Sequence, residues 1–165
     1  MARVLFTALA LCSLNVFAES LNFTGDWEAS SSSTQYADQR GFQANCPSGV
    51  KVIIDHRSDQ IDLRVDYDCG VAPGGDHAVP YFMRGWSPLS IEGQTLKLNG
   101  SSVGNIDDKE FSFESSTSTG SYPNVTSRVR FWAESIHPQW LFFEHITSLN
   151  GNVVRYVRAH MGRTR

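Results

Sequence analysis

Apolar and polar residues alternate along much of this chain. In Val50-Lys-Val-Ile-Ile-Asp55 and in Ile61-Asp-Leu-Arg-Val-Asp-Tyr67, every second position is apolar. A period of two is that of a strand with one face in a core and the other in water. The pattern recurs in short segments separated by clusters of Gly, Pro, Asn, Asp and Ser. It predicts strands over 23–30, 40–45, 50–55, 60–68, 79–85, 88–92, 95–99, 109–114, 126–134, 140–147 and 152–160. Helical periodicity is confined to 34–41, where Thr34 can cap a short helix and Tyr36, Ala37 and Arg40 fall on neighbouring turns. Residues 69–79 and 115–125 read as loops rich in turn residues.

The pattern also sets pairings. A turn over His56-Arg-Ser-Asp59 places Ile54 opposite Ile61, Val52 opposite Leu63 and Val50 opposite Val65. The same register brings Cys46 against Cys69 on the apolar face, at a spacing that suits a disulfide. A second hairpin is expected at Leu149-Asn-Gly-Asn152, since Asn-Gly favours the positive φ of tight turns. Short connections imply sequential antiparallel strands. The predicted fold is all-β: an antiparallel up-and-down barrel of about eight to ten strands, with a two-sheet sandwich as the alternative.

Residues 1–18 have the features of a removable export signal: Arg3, an apolar run from Val4 to Leu14, and the small-residue ending Val16-Phe-Ala18. The address is therefore secreted or periplasmic, where a Cys46–Cys69 bond would persist. Residues 19–165 then form one barrel domain. A formal charge of −3 and the lack of any basic run argue against nucleic acid as a partner. No later stretch is long and apolar enough to make an integral membrane segment.

Phe23-Thr-Gly25-Asp-Trp27 opens the first predicted strand. With the export signal and the antiparallel strands, this Gly-x-Trp resembles the lipocalins and the wider calycin group, which includes fatty-acid-binding proteins and avidins. The resemblance implies an Arg from the last strand packed across the Trp ring. Arg155 is the position carried over, with Arg158 second. It also implies a ligand held inside the barrel. The Thr-Asp-Tyr element that lipocalins carry late in the barrel is not found.

Candidate chemistry adds little. The five histidines show no metal-ligand spacing, and there is no nucleophile elbow or phosphate-binding Gly loop. His145, within an apolar strand, reads as a core residue rather than a base. Asp62, Asp66 and Asp68 read as a solvated sheet face rather than a calcium site. No catalytic residue, metal ligand or cofactor is assigned. Aromatic and Arg residues of the strands are the candidate ligand contacts: Trp27, Tyr81, Met83, Arg84, Trp86, Arg130, Trp132 and Arg155. Tyr81 and Met83 share one face, Arg84 and Trp86 the other. Val129 and Phe131 are expected to face inward, with Arg130 and Trp132 inward only if that strand is inverted. The expected function is non-catalytic binding of a small apolar or amphipathic molecule. The alternative is a secreted protein-binding module, such as a hydrolase inhibitor, that uses loops 69–79 and 115–125. An enzyme whose site is not visible in sequence is third.

Overall fold

The structure, a computed structural model, describes residues 22–38, 43–69, 82–119, 122–133 and 139–165. The expected export signal lies outside them. The described strands are β1 (Gly25–Ala29), β2 (Thr34–Asp38), β3 (Gln43–Asn45), β4 (Val50–His56), β5 (Gln60–Asp68) and β6 (Phe82–Glu92). They continue with β7 (Thr95–Leu98), β8 (Ser101–Ile106), β9 (Glu110–Thr119), β10 (Tyr122–Trp132), β11 (Trp140–Leu149) and β12 (Asn152–Arg163). Every pairing is antiparallel, and consecutive strands from β4 to β12 are neighbours. β1 pairs with β4 on one side and with β12 on the other, which closes the sheet. β1 and β2 lie end to end along β12, and β3 and β4 lie end to end beside them. The twelve segments thus form a closed ten-strand antiparallel barrel, consistent in general form with a calycin barrel. Closure through β1–β12 rules out the open two-sheet sandwich.

The break between the paired segments is built by Gly49. Its N–H donates to the Cys46 carbonyl at 3.1 Å, and its φ is +67°. A Cβ there would stand 2.1 Å from the Ala29 carbonyl oxygen, so only glycine fits. This turn brings Cys46 to Cys69, and the two form a disulfide with Cα atoms 4.3 Å apart.

The bond forms as expected, but the expected β4–β5 register is wrong by two residues. Ile54 meets Leu63, Val52 meets Val65 and Val50 meets Tyr67. The turn runs over 57–60 instead, with the Arg57 N–H donating to the Gln60 carbonyl at 2.8 Å. A shift of two leaves every side chain on its original face, so hydrophobic alternation cannot detect it.

Other expectations also fail. The helix expected at 34–41 does not form over 34–38, the part that is described. Thr34 to Asp38 is β2, held by pairing to β12 and β3, and ladder bonds on both edges override a weak local preference. Residues 115–119 and 122–125 extend β9 and β10 rather than forming a loop. The described part of the expected strand 79–85 and the expected strand 88–92 are joined in the single strand β6. β8 escaped notice because Ser101-Ser-Val-Gly-Asn-Ile106 has no clean alternation. Its signal was Asn99-Gly100, whose φ values of 51° and 80° match those of Asn150 and Gly151 at the C-terminal hairpin, 51° and 81°.

Candidate functional site

Cross-strand pairing arranges the interior in rows that change character along the barrel axis. At one end Leu141 pairs with Met161, and Trp27 and Phe23 are wholly buried beside them. The next row joins Phe111, Phe131, Phe143 and Ala159. Phe111 stacks on Phe131 at 4.8 Å, and Phe131 contacts Phe143 at 5.2 Å. A third row joins Phe113, Val129, His145, Val157 and Tyr36. The fourth joins Ser115, Ser127, Thr147 and Arg155, with Asp38 next across the backbone ladder. The interior therefore passes from solid aromatic packing to polar groups.

His145, Thr147 and Arg155 are all buried, Arg155 being only 9% exposed. The Tyr67 hydroxyl is hydrogen-bonded to Nδ1 of His145. Arg155 stands directly across from Thr147 and diagonally from His145. Burial pulls the His145 pKa down to about 4, so its ring is neutral at physiological pH. Burial pushes the Tyr67 phenol up, and the nearby Arg155 charge draws it partly back. Tyr67 thus keeps its proton and can donate to Nδ1, which leaves the imidazole proton on Nε2. That Nε2 is buried and has no hydrogen-bond partner among the described residues. A buried N–H without a partner costs about 1–3 kcal/mol. Beside it lies a buried guanidinium. Together they form a donor-rich patch above an apolar floor, chemistry suited to an acceptor such as a carboxylate.

At the opposite end, the Trp27 indole N–H donates to the Phe23 carbonyl at 3.1 Å. The cation over the Trp27 ring is Arg163, at 5.4 Å. The expected assignment to Arg155 is therefore corrected, as is the second choice, Arg158. Arg163 pairs directly with Trp27, whereas Arg155 pairs with Asp38 further along β12. A Cβ on Gly25 would stand 2.9 Å from Nε of Arg163, so this glycine admits the guanidinium to the ring.

The other expected contacts divide. Val129 and Phe131 face inward and are buried, so Arg130 and Trp132 lie on the outer wall. Arg130 is ion-paired with Glu110 and lies 4.8 Å from the Trp132 ring centroid. Trp132 continues an outer stack through Phe142 to His160, at centroid spacings of 5.2 and 4.6 Å. These two residues are not interior contacts. Met83, Arg84 and Trp86 stand in β6 opposite Tyr67, Asp66 and Arg64, and their side chains lie outside the description, as does Tyr81 entirely. Loop 70–81 is likewise outside it. Tyr67 and His145 were missed as site residues. Their signal was the inward series Leu141, Phe143, His145, Thr147, which turns polar along one face of one strand.

Among the described residues, no three His, Cys, Asp or Glu side chains converge as metal ligands would, and no helix is long and apolar enough to cross a membrane. No protein-family model matches the chain, and no curated protein is significantly similar to it.

Proposed function

We propose that this chain is an exported, non-catalytic barrel of the calycin type that binds a small amphipathic ligand. The acidic head lies against His145, Tyr67 and Arg155, and the apolar body lies over Val129, Phe113 and the aromatic row beneath. The observation that carries this reading is the buried, unpartnered Nε2 of His145 beside the buried Arg155. Buried polar atoms are nearly always paired, so an orphan donor at the polar end of the interior points to an absent acceptor. Gly25, Trp27 and the overlying Arg163 support the calycin likeness. The disulfide supports residence in an oxidising compartment, and cleavage after Ala18 follows from the leader pattern. The mass of the mature protein tests that cleavage.

Perturbed ionisation also marks catalytic bases. Here burial holds His145 at about 4, which makes it a poor proton acceptor near neutral pH. That direction favours binding over general-base chemistry.

Displacement of a fluorescent fatty-acid probe from lipid-stripped protein tests the reading. Hexadecanoic acid is expected to bind about tenfold or more tightly than hexadecanol. Arg155→Met and His145→Leu should each narrow that gap. Equal affinity for acid and alcohol, or no binding of either, would falsify the proposal.

A further inference from the structure

The outer wall carries a second concave surface. A groove of about 270 Å³ crosses β12, β2 and β3. It arises from the same alternation that builds the interior. Arg155 and Tyr36 are buried, while their neighbours Tyr156, Arg158, Gln35 and Ala37 fall on the outer face. Gln35 stands between Asn45 and Arg158, and Ala37 stands between Gln43 and Tyr156. The small side chain of Ala37 leaves the space that Tyr156 and the amides surround.

Three primary amides, those of Gln35, Gln43 and Asn45, line this groove. Among the described residues none of the three makes a side-chain hydrogen bond. Each can both donate and accept. The one cation in the lining is already matched. Arg158 Nη2 donates to the Glu144 carboxylate at 2.9 Å, and its guanidinium lies 5.1 Å from the Tyr156 ring centroid. The groove therefore offers paired donors and acceptors, an aromatic wall and no net charge.

We propose that this groove binds a neutral sugar unit. Sugar hydroxyls both donate and accept, which matches amides better than it matches fixed charges. A pyranose also presents an apolar C–H face that can lie against Tyr156 and Ala37. An anionic ligand would meet Glu144, and a cationic one would compete with Arg158. The volume falls just below the usual range for ligand sites, about 300–1,000 Å³, and so suits one sugar unit rather than a long chain. The side chains that would contact the sugar lie on the outer face, since adjacent residues of the same strands point to the two sides of the wall, and Tyr36 of the interior row borders the groove from beneath.

Amide NMR titration with maltose, cellobiose and chitobiose tests the proposal, with sialyllactose as the charged comparison. At least one neutral disaccharide should give saturable shifts centred on residues 35–37, 43–45 and 156–158. A Gln35→Ala/Gln43→Ala variant changes two exposed side chains and should keep the fold, as circular dichroism will report. It should weaken that sugar about tenfold and leave hexadecanoic acid binding unchanged. The proposal is overturned by no saturable shift with any of the three, by tighter binding of sialyllactose, or by full affinity in the folded double variant.

Discussion

The two ends of the barrel interior share β5 and β9 to β12, with β1 at one end and β2 at the other, and differ in almost every physical respect. Around Trp27 the inward side chains Phe23, Leu141 and Met161 are aromatic or aliphatic and wholly buried, the indole N–H is hydrogen-bonded, and the exposed Arg163 covers the ring. Around Arg155 the same strands turn inward a Tyr, a His, a Thr and an Arg, and one buried nitrogen is left without a partner. On the proposed reading, the contrast separates stability from ligand binding. The closed end buries apolar area without a polar penalty, so it holds the barrel together. The polar end costs stability in the unliganded protein, a cost that a ligand with an acidic head would offset.

Four substitutions or conditions probe this contrast. The largest effect is expected from Trp27→Ala, which opens a cavity in the packed end and should cost ~3–5 kcal/mol in urea denaturation. A loss below the typical single-substitution effect would mean that the closed end is not the stabilising one.

Second is the pH dependence contributed by the polar end. The folded His145 pKa of about 4 lies below its usual 6.5. As pH falls below about 6.5, the unfolded chain takes up this proton while the folded one does not, so stability declines down to about pH 4. The contribution is full above that window, and the total loss is roughly 3 kcal/mol. Carboxylates titrate nearby, so the measurement is the difference between wild type and His145→Gln, whose stability should fall less steeply between these pH values. Parallel profiles would show that His145 is not held neutral by burial.

Third, Tyr67→Phe strips Nδ1 of His145 of its partner and should cost ~1–3 kcal/mol. Adding His145→Leu removes both polar groups, and the double variant should recover much of that loss. If the two losses simply add, the hydrogen bond between them is not the relevant interaction.

The smallest effect concerns the ring cation. Trp27→Phe and Arg163→Met should couple by ~0.5–1 kcal/mol, whereas Trp27→Phe and Arg155→Met should be additive within ~0.5 kcal/mol. Coupling of Trp27 to Arg155 instead would contradict the separation of the two ends.

Legibility in the sequence followed the range of the forces involved. Alternation in β4 and β5 identified their inner faces, and Asn150-Gly151 identified a hairpin, because both signals are local. The two-residue register error between β4 and β5 had no local signature, since either register buries the same side chains. The helix expected at 34–41 failed because partners distant in sequence, β12 and β3, supply its hydrogen bonds. Gly-x-Trp indicated that an Arg should cover the ring, but not which Arg. That choice depends on where β12 meets β1, and it falls on Arg163.

The sequence by itself determined that the protein is all-β, that alternate residues of β4 and β5 face a core, and that Trp27 belongs to that core. Each follows from side-chain period and polarity, which act within a strand or one hairpin. Only the tertiary structure decided that β1 meets β12 to close a ten-strand barrel. It alone brought Tyr67 from β5 to His145 on β11, and placed Arg155 beside them rather than over Trp27. These placements depend on closure and strand stagger around the whole barrel, which no single segment encodes.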